Sequence, residues 1–143
     1  MEDRLVNHKT TDYKNTIIAV AEDCPAVKAE IPPNNSDEMT IARMQYEIIM
    51  NHPYTYTSDD VIFQIYALKK KIPKKNIKKE RDLFFSKGQP CMRSSPLARR
   101  YGWGIHSNSE GKVAIYAVES EEYKKLSLDK TIGYKKAMRA KRA

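Results

Sequence analysis

The sequence is poor in the residues that staple, span or break a fold. Its 143 residues include two cysteines, Cys24 and Cys91, with five glycines, three histidines and one tryptophan. Two thiols allow one disulfide at most, which excludes a disulfide-stapled scaffold, and both are expected to be free. No apolar run approaches the ~20 residues that a membrane-crossing helix needs, which excludes a transmembrane helix. Met1 to Thr10 lacks the apolar core of a secretory signal, so a cytoplasmic protein is expected. There is no phosphate-binding Gly-Lys loop, dinucleotide fingerprint, serine elbow or paired-histidine metal motif, and no cofactor or metal is implied. With no internal repeat and no long linker, residues 1–143 are expected to form one domain, with 1–9 and 130–143 as flexible ends. Nothing in the pattern specifies a partner or an oligomeric state.

What is present is charge, unevenly placed. The net charge of +8 combines a net −6 over residues 1–60 with a net +14 over 61–143. The excess lies in three clusters: Lys69-Lys70-Lys71 with Lys74, Lys75, Lys78 and Lys79; then Arg93, Arg99 and Arg100; then Lys135 to Arg142. Such clusters suit a polyanion, because lysines near phosphates release counterions without needing base contacts. The alternative is a solvated helix face, since these lysines lack the interleaved aromatics of a base-stacking platform.

Periodicity divides the chain into short elements. Asn15 to Ala21 is apolar and β-branched and ends at Glu22-Asp23-Cys24-Pro25, which predicts a strand and a turn. Ser36, followed by Asp37 and Glu38, predicts a helix start, with Ile41, Met44, Ile48 and Ile49 on its apolar face. Asn51-His52-Pro53 ends it, because a residue before proline is pushed out of the helical region. Thr57-Ser58-Asp59-Asp60 has the form of a capping box, opening a second helix with Val61, Ile62, Ile65, Leu68 and Ile72 on one face. Pro73 then suits the first residue of a third helix that runs through Ile77, Arg81 and Phe84 to a stop at Lys87-Gly88. Tyr101 to His106 and Lys112 to Val118 read as a hairpin across a polar loop ending in Gly111. Ser120 caps a last short helix with Glu121 and Glu122 in its first turn. The expected architecture is α+β: three or four helices packed on a small antiparallel sheet that includes this C-terminal hairpin.

The chemistry concentrates between Phe84 and His106. This run holds Cys91, Arg93, Arg99, Arg100, the single tryptophan, Trp103, and His106, and it contains no acidic residue. If Tyr101 to His106 is a strand, Trp103 shares one face with Tyr101 and Ile105, while Gly102, Gly104 and His106 share the other. One reading places a shallow groove above the glycines, flanked by His106 and made positive by the arginines, where an anionic or phosphorylated small ligand would bind. The other packs Trp103 into the core and uses the glycines for close approach. Guanidinium groups near Cys91 favour the thiolate, the reactive form, and with His106 as base it would make a Cys–His nucleophile. Cys24 follows two carboxylates, which disfavour its thiolate.

Several blocks resemble a known family. Thr10 to Thr16, Ala21 to Pro25, Tyr56 to Asp60, Phe84 to Pro96, Arg100 to His106 and Val118 to Tyr123 together are similar to domain-of-unknown-function family 6157, short and mostly bacterial proteins. The likeness runs from about Lys9 to Arg142. It implies membership without a mechanism, and carries no activity, cofactor or catalytic residue onto these positions.

Three functional expectations follow. The first is a small protein binding an anionic ligand near Arg93, Arg99, Arg100, Trp103 and His106. The second is nucleic-acid binding through Lys74, Lys75, Lys78 and Lys79 and the basic tail; three helices followed by a hairpin also fit a winged helix, with Ser107 to Gly111 as the wing tip. The third is a thiol-dependent enzyme using Cys91 with His106.

Overall fold

A computed structural model describes residues 8–35 and 37–141. Four strands form one sheet in the order β3-β2-β1-β4: β1 is Thr16–Ala19, β2 Trp103–Ser107, β3 Val113–Ala117 and β4 Gly133–Lys136. β1 and β2 occupy the middle, and their apolar residues are buried on both faces, as the unbroken run Ile17-Ile18-Ala19 requires. The hairpin β2–β3 is antiparallel with Trp103 opposite Ala117 and Ser107 opposite Val113. β1 runs antiparallel to β2, with Ile18 opposite Ile105.

The sheet is mixed, where an antiparallel one is expected from sequence. β4 pairs parallel to β1, Thr16 opposite Gly133 and Ala19 opposite Lys136. β3 and β4 are the two edges of the sheet, so the chain passes from one to the other across a face, through α5, Glu121–Leu128. All four residues of β4 are exposed, so no buried side chain marks it in the sequence. Backbone pairing holds it instead, and residues 133–136 are a sheet edge where a flexible basic end is expected.

Among the described residues are five helices, on both sides of the sheet. α1 (Ile41–Asn51), α2 (Ser58–Lys70) and α4 (Pro96–Arg99) lie on the face of Ile18, Trp103, Ile105 and Ile115, where Ile49, Val61, Ile65 and Leu97 complete the main core. α3 (Ile77–Phe85) follows a 3-10 turn at Lys74–Asn76 and packs against α2. Pro73 stands just before that turn, and the α-helix begins only at Ile77. α5 takes the opposite face. β2 is thus an interior strand, so the hairpin is no free wing and the winged-helix arrangement is not formed.

Local signals explain most helix ends. At α2 the Thr57 hydroxyl accepts from Asp60 N–H at 3.1 Å and the Asp60 carboxylate accepts from Thr57 N–H at 3.0 Å, a complete capping box. α1 begins at Ile41 behind Thr40, whose hydroxyl accepts from Arg43 N–H, so Asp37 and Glu38 precede the helix rather than forming its first turn. The cap expected at Ser36 lies outside the described residues. Ala42, Gln45 and Ile49 are buried, which turns α1 so that Ile41 is exposed.

The N-terminal segment is clasped to the start of α2. The Asp59 carboxylate accepts from Thr11 N–H and both threonine hydroxyls, Thr10 and Thr11, at 2.7–2.8 Å, and meets His8 Nε2 at 3.2 Å. Burial pushes this carboxyl up, but the hydrogen bonds to its charged form outweigh it and hold it below its ordinary value. Lys9 N–H donates to Phe85 C=O, so residues 8–12 are fixed in place. Residues 1–7 lie outside the described part.

Gly104 shows how tightly α5 sits. A Cβ there would run into Cε1 and Cδ1 of the Tyr123 ring, whose hydroxyl accepts from Val20 N–H. Gly104→Ala is expected to cost about 1–3 kcal/mol in urea unfolding, from overpacking against a ring that cannot rotate away. In a Tyr123→Ala background the same substitution is expected to cost distinctly less; equal costs in both backgrounds would show the contact to be unimportant.

Candidate functional site: an apolar cavity beside Cys91

The segment from Ser86 to Arg100 is shaped by its own hydrogen bonds. Gln89 Nε2 donates to Phe84 C=O, and Ser94 Oγ donates to Cys91 C=O, closing a 3-10 turn at Met92–Ser94. Ser95 Oγ then accepts from Leu97 N–H to start α4, with Pro96 as its first residue. The same hydroxyl donates to Gln45 Oε1 at 2.5 Å, a buried bond tying this segment to α1. Met92 and Leu97 enter the core.

Between this segment and the helices lies a cavity of about 400 Å³. α1 supplies Ile41 and Gln45, α2 supplies Ile62, Ile65 and Tyr66, and α3 supplies Phe84. The far wall is Pro90 to Met92 and Ser94 to Pro96. The lining is predominantly apolar and includes no carboxylate, and its charged members are Lys69 and Lys70, both exposed. Such a volume and balance are those of small-molecule sites, with few polar groups among apolar walls.

Cys91 is half-buried in this wall, and its Sγ lies 3.3 Å from the Tyr13 hydroxyl. Burial pushes the Tyr13 phenol up, the Cys91 contact adds to this, and Arg93 opposes it. Cys24 is also a free thiol, directed at Ala26 C=O at 3.8 Å.

The structure does not gather the residues that the sequence groups as an anion site. Arg93 Nε donates to Lys136 C=O at 2.7 Å, Arg99 donates twice to Arg139 C=O, and Arg100 donates to Ala140 C=O at 3.0 Å. All three guanidinium groups therefore clamp the chain beyond β4. Asp23 completes the clamp by accepting from Ala140 and Lys141 N–H, which hold its carboxyl below the ordinary value. Trp103 is buried, packed on Tyr46, with its indole N–H donating to Glu30 C=O. The space above Gly104 is filled by Tyr123, and Gly102, at φ +81°, packs against Ala26, Lys28 and Ala29. Among the described residues, close approach of these groups takes the space where a groove was expected above the glycines.

His106 is on the opposite face of the sheet from the cavity, so it cannot serve as base to Cys91. Its Nδ1 lies 2.7 Å from the Tyr54 hydroxyl, which in turn meets the Tyr116 hydroxyl at 2.8 Å. Burial pushes His106 below its ordinary value, partly offset by Asp129. With Nδ1 unprotonated, Tyr54 donates to it and accepts from Tyr116. Burial and the Tyr116 contact push Tyr54 far up, and its backbone is left-handed at φ +56°. Lys74, Lys75, Lys78 and Lys79 are exposed along α3 and the turn before it.

Sequence reasoning missed the cavity. One signal was present: Gln45 stands among Ile41, Ile48 and Ile49 on the apolar side of α1, and a polar residue there must find a buried partner. Among the described residues, no three His, Cys, Asp or Glu side chains gather as metal ligands would.

The clasp, the cavity wall and the clamp all fall within one block of homology. Residues 8–143 match the model of a family of unknown function (DUF6157), and the chain belongs to that family. Searches of curated proteins and of solved structures returned no match.

The lowered His106 value has a sign that can be tested. The unfolded chain takes up the proton more readily, so this residue's contribution to stability is present above the usual histidine range, near 6.5, and is lost as pH falls through it. Thermal midpoints of the wild type and His106→Gln, measured from pH 8 to pH 5, are expected to converge on acidification. A constant difference would contradict the assignment.

Proposed function

We propose that the protein binds a small amphiphilic anion, with the apolar part in the cavity and the anionic head at Lys69 and Lys70. The observation that carries this reading is the cavity's lining: predominantly apolar walls, no carboxylate, and two lysines as its charged members. An apolar body supplies affinity by leaving water, and the ammonium groups select the sign of the head. The Ser95 hydroxyl and the Gln45 carbonyl oxygen are paired with one another, so neither asks for a ligand donor. This reading assigns the anionic preference to the lysines, since Arg93, Arg99 and Arg100 each donate to a backbone carbonyl.

Titration calorimetry with an aliphatic carboxylate and the matched primary alcohol tests this. The carboxylate is expected to bind more tightly, with Lys69→Gln/Lys70→Gln reducing that preference by roughly tenfold, as for the loss of a charge-assisted contact. Ile62→Trp, which fills the cavity, is expected to abolish binding of both while preserving the fold by circular dichroism. Equal affinity of wild type and Ile62→Trp for the carboxylate would refute the site.

A second reading rests on the Cys91–Tyr13 contact in the cavity wall. An enone held in the cavity would meet the Cys91 sulfur: the thiol loses its proton to solvent, the C–S bond forms at the β-carbon, the C=C π bond breaks to give the enolate, and the α-carbon takes up a proton from water. With an apolar enone as probe, Cys91 is expected to be alkylated faster than Cys24 by intact-protein and peptide mass spectrometry. Saturating carboxylate should suppress that advantage; equal rates at both cysteines would remove the reading.

A further inference from the structure

From the surface around the cavity, we infer that the α2–α3 side of the protein docks on the anionic surface of a lipid bilayer. The inference goes beyond ligand binding in the cavity and does not need it. Between Leu68 and Leu83 the chain carries seven lysines and Arg81 against two carboxylates, Glu80 and Asp82. Arg81 is paired with Asp60 at 2.9 Å, and Lys69 approaches Glu38 at 3.9 Å. All seven lysines are exposed.

Charge alone would fit any polyanion, and the leucines decide the kind. Leu68 is 64% exposed, Leu83 54% and Ile41 48%. Leu68 shares a surface hollow with Lys69, Lys71 and Glu38, and Leu83 shares one with Lys75, Lys78, Lys79 and Asp82, so lysines outnumber carboxylates in both. The Leu68 hollow adjoins the cavity directly, and the Leu83 hollow is linked to it by a third. Lys69 borders the cavity and the Leu68 hollow, and Phe84 and Tyr66 border the cavity and a further hollow holding Leu83. Ile41 is itself part of the cavity lining.

Exposed aliphatic side chains set among lysines are the composition of an interfacial surface: the apolar groups enter the headgroup region while the ammonium groups meet lipid phosphates. A surface for single-stranded nucleic acid gains instead from exposed aromatics that stack on bases. Here the aromatics of this region, Phe63, Tyr66, Phe84 and Phe85, pack on one another. The same orientation would turn the mouth of the cavity toward the bilayer, beside the lysines.

Vesicle sedimentation of the full chain tests the inference without any added cavity ligand. Vesicles of phosphatidylcholine alone are compared with vesicles containing phosphatidylglycerol at about one part in four. The expected result is binding to the mixed vesicles only, weakened by salt. Lys74→Gln/Lys75→Gln/Lys78→Gln/Lys79→Gln should reduce it roughly tenfold or more. Leu68→Ser/Leu83→Ser, at exposed positions that leave the fold intact by circular dichroism, should also reduce it several-fold. A parallel titration with single-stranded RNA separates the two polyanions. Absence of binding to mixed vesicles, or vesicle binding unchanged by the leucine substitutions, overturns the inference. RNA binding that needs the lysines and ignores the leucines, with no vesicle binding, replaces it by the nucleic-acid reading. Ile62→Trp should still bind vesicles, so failure of the cavity and failure of this surface are distinguishable.

Discussion

The backbone from Cys91 to Arg100 must be held still for this molecule to have a cavity at all, and three guanidinium groups hold it. Arg93, Arg99 and Arg100 donate to the carbonyls of residues 136, 139 and 140, while Met138 N–H returns a bond to Arg93 C=O. A segment of irregular backbone thus acquires partners for groups that would otherwise face an incomplete sheet edge. On its other side Ser95 is bonded to Gln45 of α1. The wall that carries Cys91 is suspended between those two attachments.

The clamp also explains the charge layout of the sequence. Asp23 and Glu22, at the end of β1, receive the chain beyond β4 through Ala140 and Lys141 N–H and through the Lys136 ammonium. Acidic first half and basic second half therefore meet at the parallel β1–β4 pair. The arginines serve geometry, because a guanidinium presents several donors in a fixed fork and reaches carbonyls that a lysine would leave unpaired. Of the lysines of α2 and α3, Lys69 approaches Glu38 at 3.9 Å across the surface. These lysines stand in solvent, where charge is free to act on something outside the protein.

The two faces of the sheet divide the remaining chemistry. The cavity and Cys91 belong to the face covered by α1, α2 and α4. His106, Tyr54 and Tyr116 belong to the α5 face, together with Tyr123 pressed on Gly104. A strand places neighbouring residues on opposite sides, so the alternation of Trp103, Ile105 with Gly104, His106 was enough to separate Trp103 from His106. It was not enough to say what covers each side.

Sequence by itself determined the local elements of this protein. The capping box at Thr57–Asp60, the hairpin around Gly111 and the cap at Ser120 are short-range hydrogen-bonding patterns and the stop at His52-Pro53 is a steric one, and each was legible because the interacting groups lie within a few residues. The resemblance to the family of unknown function was legible for the same reason, in contiguous blocks. Only tertiary structure decided that β4 joins β1 in parallel, that the arginines face carbonyls some forty residues away, and that Gln45 and Ser95 meet beneath a cavity. Those outcomes depend on chain closure over long separations, where many pairings satisfy the same local pattern and only the packed whole selects one.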